Sequence, residues 1–171
     1  MRITSNNKTI EDPEQYAVYK SVLDEGGLCT GLDRVFIRAS GFTLPAFWLK
    51  LAEGLIDTTP EIMANLEANA AHGHLLENRF ALNVPVTLLQ DPEWEEIFPA
   101  NGPSAWERFH SKYPDAKRVF FLSPVGFDVT KQTAVVFVDY SFGFQVGEGY
   151  VYSLTKSDNA WQIQKKKKYT V

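Results

Sequence analysis

The densest set of metal-type donors in the sequence is His72-Gly73-His74, with Glu67 and Glu77 nearby. Two histidines two residues apart converge on one metal from a strand. On a helix, neighbours that converge sit three or four apart. This pair follows a helical pattern, where histidine suits the C-terminal end of the dipole and glycine stops the helix. No third ligand stands at the spacing zinc sites show, so no metal and no cofactor is expected. Cys29 follows Gly26-Gly27-Leu28 and lacks the sequence context of a cysteine nucleophile. It reads as a small buried apolar side chain. Ser123 lacks the flanking glycines of a nucleophile elbow. The glycines of Gly143 to Gly149 lack the Lys-Ser/Thr of a phosphate loop, and strands rather than a helix flank them. A long hairpin loop is the expectation there. Asp91, Glu93, Glu95 and Glu96 crowd one helix start, where the dipole accounts for them. Glycosidase chemistry instead needs two carboxyls opposed across a cleft.

The lysine run Lys165 to Lys168 raises a further possibility. Along the last strand the odd positions are Trp161, Ile163, Lys165, Lys167, Tyr169 and Val171. That face is apolar at both ends and carries two ammonium groups in the middle. An edge strand guarded by lysines explains this, and so does a bulge that shifts the register. The functional reading is a basic pocket wall for an anionic ligand. A pocket between helices and sheet would draw on Lys165, Lys167, His110 and Tyr113.

These residues sit in a chain that reads as helices first and strands later. Asp12-Pro13-Glu14, Thr59-Pro60-Glu61 and Asp91-Pro92-Glu93 are helix starts, each with a capping residue, a first-turn proline and an acid. Phe47, Leu51 and Leu55 recur at helical spacing, as do Trp106, Phe109, His110 and Tyr113. Arg34 to Ala39 reads as a short strand that Gly41 breaks. Residues Arg79 to Gln90 are ambiguous, because Pro85 argues against a central strand. After Lys117 the period becomes two. Strands are expected at Arg118 to Ser123, Gln132 to Phe142, Gly149 to Lys156 and Trp161 to Thr170. The fold class is therefore α+β over one domain, residues 1–171. Four or five helices should pack on one face of a mostly antiparallel sheet. Its C-terminal part should be a four-strand meander, with Arg34 to Ala39 as a fifth strand.

From Trp106 onward the chain reads W-E-R-F-H-S-K-Y-P, F-L-S-P-V-G-F-D, T-A-V-V-F-V, G-E-G-Y-V-Y-S-L and W-Q-I. This resembles a family of uncharacterised bacterial proteins, many of them exported or lipid-anchored. Their pattern is W-x-x-F-Y-x-x-Y-P, L-S-R-V-G-F-N, A-L-V-Y-V, C-G-x-x-C-G-x-G-Y-Y and W-x-V. The resemblance implies no activity. Pro124 stands where that pattern has arginine, and Ser141 and Gln145 lie near its two cysteines. A role of that arginine or of that cysteine pair does not transfer, and the missing cysteines weaken the case for export.

Composition narrows the function classes. The chain has 171 residues, a net charge of -4 and 13% aromatic residues. An acidic balance gives no nucleic-acid footprint, and no apolar run reaches a membrane span. One cysteine forms no internal disulfide, and the polar first residues carry no signal peptide. A cytoplasmic protein is expected as the sequence stands, or an exported one whose leader has been removed. Two functions follow. One is a non-enzymatic binding or interaction module that uses aromatic surface from the sheet. The other is a hydrolase-like enzyme that processes a small ligand in the pocket described above. In Gln132 to Phe142 the even positions Ala134, Val136, Val138, Tyr140 and Phe142 are all apolar, yet Val135 and Phe137 are apolar too, as is Val151 on the next strand. Such a patch is rarely left to water. A homodimer through Val135, Phe137 and Val151 would cover it, and so would an N-terminal segment of the same chain.

Overall fold

The strand that is apolar on both sides sets the architecture. In the computed structural model, which describes residues 7–40, 42–100 and 102–169, this is β7 (Thr133–Gly143). Its Val135-Val136-Phe137-Val138 run suits a pleated strand buried on both faces. It lies inside a seven-stranded sheet. The order is β4 (Val86–Leu89), β2 (Val35–Arg38), β5 (Val119–Leu122), β7, β8 (Val146–Ser157) and β9 (Ala160–Tyr169). β5, β7, β8 and β9 pair antiparallel. The expected four-strand meander is not matched in detail. A two-residue strand, β6 (Gly126–Phe127), intervenes after β5 and also pairs with β7. The expected fifth strand is β2, and it runs parallel to both β5 and β4. Pro85 ends one residue before β4, an edge strand, where a missing N–H costs no ladder bond. A separate parallel pair joins β1 (Lys8–Ile10) to β3 (His74–Leu76). The strand end expected at Thr170 and the break at Gly41 lie outside the described residues.

Parallel neighbours need crossovers, and helices supply them. α1 (Pro13–Lys20) is capped by Asp12, whose Oδ1 accepts from the Glu14 N–H at 3.0 Å. It continues as a π-helical turn, Ser21–Glu25. Gly26, where a Cβ would lie 2.2 Å from the Val22 carbonyl oxygen, and Gly27 at φ +77° end it. α2 (Ala46–Leu55) and α3 (Pro60–Ala70) follow, the latter capped by Thr59. α4 (Asp91–Ile97) departs from the expected cap. Gln90 holds the N-cap position, and the Asp91 carboxylate is taken by Arg38 and Ser40. α5 (Pro103–Lys112) is the fifth α-helix among the described residues.

The expectation that the helices share one face is corrected. Tyr19, Val22 and Leu23 of α1 and its π turn pack on Ile37, Phe120, Val136 and Tyr152. The other four helices lie on the opposite face. There Leu49, Ala52, Ile62 and Leu66 of α2 and α3 pack on Val135, Phe137 and Val151. Ile97, Trp106 and Phe109 of α4 and α5 pack on Phe36 and Val119. The patch expected to form a subunit interface is therefore covered by this chain itself. Val135, Phe137 and Val151 are at most 1% exposed. An apolar sheet face of this size is satisfied by the nearest apolar helices of the same chain.

One contact fixes how closely α3 can approach. A Cβ on Gly126 would lie 2.6 Å from the Leu66 Cβ and 2.8 Å from the Ile62 carbonyl oxygen. Gly126→Ala should therefore lower stability by about 1–3 kcal/mol through overpacking. Gly54 lies within α2 and meets nothing within 4 Å. Gly54→Ala should raise stability by about 0.5–1 kcal/mol through helix propensity. Denaturant unfolding of the two variants checks both signs.

Candidate functional site

The four helices on one face divide into two pairs, and a strip of sheet between them stays uncovered. Across this strip Phe121 of β5 stands opposite Asp139 of β7, and Ser141 stands opposite Gly147 of β8. Phe121, Ser141 and Gly147 form the floor of a groove of ≈ 470 Å³.

 
That volume, ≈ 470 Å³, falls within the range of small-ligand sites. Gly147 keeps the floor open, because a Cβ there would lie 2.6 Å from the Tyr140 carbonyl oxygen and 3.2 Å from the Ser141 Oγ.

Aromatic rings make the walls. Trp94 of α4 stacks on Phe98 with centroids 4.3 Å apart, as i, i+4 neighbours on one helix face do. Trp94 also meets Phe121 edge-on at 5.7 Å, and Phe98 meets Trp106 of α5 edge-on at 5.5 Å. The Arg38 guanidinium lies 4.2 Å from the Trp94 ring and 3.2 Å from the Asp91 carboxylate, which fixes the ring in place. The rim is the β7–β8 hairpin, with Gln145 at φ +56° and Val146 46% exposed. β7 and β8 pair up to Gly143 and Val146, so two residues turn the chain where a long loop was expected. Among the described residues no charged side chain lines the groove. Its polar side chains are Ser141 and Gln145, and among the described residues neither has a hydrogen-bond partner for its side chain. The groove can thus enclose an apolar or aromatic group and offer it a hydroxyl and an amide.

Beside the groove, Asp139 stands in register with Gly149, and Gly149 with Tyr169. Glycine leaves the space between them free, and the Tyr169 hydroxyl donates to the Asp139 carboxylate across it. Burial raises the Asp139 pKa to about 6, against the lowering effect of the phenol.

The residues expected to form a pocket are not brought together. His110 is exposed on α5, its ring 5.9 Å from that of Trp106. Tyr113 donates to Glu93. Lys165 and Lys167 lie on β9, three strands beyond β5, which is roughly 14 Å away. The lysine pattern resolves as a bulge in an edge strand. Leu154 pairs with Ile163 and Ser153 with Lys165, so the faces exchange after Ile163. Trp161, Ile163, Lys166 and Lys168 then share the α1 side, and Lys165, Lys167 and Tyr169 the α2 side. Lys166 lies 4.1 Å from the Tyr150 ring, and Lys168 lies 2.8 Å from Glu148.

A second cavity, of ≈ 550 Å³, lies between α1, α3 and the 124–131 turn, and both histidines of the His72-Gly73-His74 cluster line it. Its polar side chains are largely engaged in holding the turn. Gln15 and Asn65 accept the Val125 and Phe127 N–H groups, Asn69 donates to the Val125 carbonyl, and Glu61 accepts the Val129 N–H. His74 is buried, with Nε2 3.0 Å from the Leu122 carbonyl oxygen, so this nitrogen carries the proton; burial lowers the ring's pKa. Among the described residues no group of three or more His, Cys, Asp or Glu could hold a metal ion. Cys29 is buried and its thiol is pushed up to about 12, chiefly by burial, which leaves no thiolate at neutral pH. Ser123 is fully buried, accepting from the Phe137 N–H and donating to the Pro124 carbonyl. No described helix is long and apolar enough to cross a membrane.

The groove residues were visible in the sequence as core aromatics of helices and a strand. What marks them apart is the pairing of Trp94 with Phe98 four residues on, in a short helix with few other apolar residues. The chain matches no family model, no curated protein and no solved structure.

The Asp139 site has a pH signature. Its folded pKa exceeds the ordinary value of 3.8. Its contribution to stability is therefore fully present below pH 3.8 and is lost as pH rises through about 6. Relative to Asp139→Asn, the wild-type protein should lose stability between these two pH values. Thermal melts of both proteins across that range check it, and parallel curves would contradict it.

Proposed function

We propose that the protein is a non-enzymatic binding module and that its ligand site is the aromatic groove between the two helix pairs. The observation that carries this reading is the convergence of Trp94, Phe98, Trp106 and Phe121 on one groove with a free hydroxyl and amide. Large apolar walls with a few placed polar groups are what small-ligand sites and side-chain pockets share. The ligand is an uncharged group with an apolar or aromatic body: a small molecule, or the anchoring side chain of a partner protein. The exposed Val146 at the rim extends the same apolar surface. The enzyme reading needs polar groups within reach of one reacting atom, and Lys165, Lys167, His110 and Tyr113 are dispersed.

The neutral apolar fluorophore N-phenyl-1-naphthylamine is a suitable probe. The wild-type chain should bind one equivalent with increased probe emission. Phe121→Ala should weaken binding about tenfold or more, the usual cost of losing a central aromatic contact. Val146→Asp, at the exposed rim, should weaken it without loss of fold. His110→Ala should leave it unchanged. Binding that is indifferent to both Phe121→Ala and Val146→Asp would overturn the proposal.

A further inference from the structure

The lysines that the groove does not use meet an apolar helix at the edge of the sheet. α2 runs antiparallel to β9. Near its start, the Trp48 ring lies 4.6 Å from the Tyr169 ring. Just past its end, Asp57 lies 3.7 Å from Lys165. Lys167, between Lys165 and Tyr169 on the same side of β9, therefore flanks the helix.

The sequence periodicity placed Phe47, Leu51 and Leu55 on one inward face, but the helix is rotated from that. Leu49 and Ala52 are buried against the sheet. Phe47 and Lys50 are exposed, and three residues apart they are neighbours on the outer face. Phe47 is 68% exposed, more than any other aromatic residue described. Trp48 and Leu44 beside it are only half-buried. Among the described residues Lys50 and Lys167 are in no ion pair, and Lys165 meets only Asp57, itself exposed; Glu53 is the other acid on this surface.

We propose that this edge docks on an anionic lipid bilayer. The chemistry is that of an interfacial anchor, in which aromatic and apolar side chains enter the headgroup–acyl boundary while ammonium groups meet lipid phosphates. Lysines that merely guard a sheet edge against strand addition account for the charge but give the exposed Phe47 no role. The charge is local as well, since the chain as a whole carries -4. A phosphate-bearing single-stranded nucleic acid would also meet lysines, but it uses open ring faces for stacking. On this edge Trp48 is turned to Tyr169 and to Phe47.

The test is co-sedimentation of the whole chain with vesicles. Mixed phosphatidylcholine–phosphatidylglycerol vesicles should bind it at low salt and release it as salt rises. Pure phosphatidylcholine vesicles should bind it at least about tenfold more weakly, as expected when several lysines lose their attraction. The pair Lys165→Gln and Lys167→Gln, and separately Phe47→Ser, should each reduce binding to mixed vesicles about fivefold or more. Phe47 and Lys167 are exposed and Lys165 is half-exposed, and unchanged circular dichroism and thermal melting of the variants would show the fold intact. Three results would overturn the proposal: no binding to mixed vesicles, equal binding to both kinds, or self-association that Phe47→Ser abolishes, which would make a second copy the occupant. Binding of an oligonucleotide in place of mixed vesicles would overturn it too.

Discussion

β7 must be covered on both sides, and the rest of the structure follows from that. Val135 and Phe137 point one way, Val136 and Val138 the other, and all four are at most 1% exposed. Burying a side chain of this size is worth about 1.5–3 kcal/mol. Neither face can be left to solvent, so the chain places helices above and below. α1 and its π turn suffice on one side. The other side needs two pairs, α2 with α3 and α4 with α5, because the sheet is wider than one pair. The groove is the space that remains where the two pairs fail to meet.

Polar chemistry is then confined to seams. Asp139 lies in the seam between the helix pairs, where a glycine on the neighbouring strand lets Tyr169 reach it. Glu148 lies one residue from Gly149 but on the opposite face of the sheet, where Lys168 at 2.8 Å and the hydroxyls of Tyr140 and Tyr150 hold its pKa down to about 2. Arg38 bridges Trp94 to Asp91 and so ties the groove wall to the sheet. Each of these groups is explained by a partner in the fold. The groove is different, because among the described residues Ser141 and Gln145 face it without one.

Much of the fold was legible in the sequence. The four C-terminal strands begin and end within a few residues of where alternation places them, since period two survives burial of either face. Two helix starts are capped as their sequences indicate, by Asp12 and Thr59. The third is not, because Arg38 and Ser40, distant in sequence, compete for the Asp91 carboxylate. The number of helical layers was not legible. Val135, Phe137 and Val151 call for a cover, and alternation cannot say whether a second chain or the same chain provides it. A bulge accounts for the lysine pattern, but its position after Ile163 was not legible, since one extra residue leaves no mark beside four lysines. The groove was hidden for a similar reason. Trp94, Phe98 and Trp106 look like any core aromatics until two helices place them around Gly147. The L-S-P-V-G-F-D stretch proved to be the turn that α1 and α3 clamp through Gln15, Asn65 and Asn69.

The chain has four tryptophans, and they divide cleanly. Trp94 and Trp106 line the groove, Trp48 lies on α2, and the indole of Trp161 donates to Glu14 at 2.8 Å. Four indole N–H signals in a two-dimensional nitrogen–proton spectrum therefore report directly on where an apolar ligand binds. On titration with N-phenyl-1-naphthylamine, the signals of Trp94 and Trp106 should move in proportion to saturation while those of Trp48 and Trp161 stay still. Movement of Trp48 or Trp161 with Trp94 and Trp106 unmoved would contradict the account.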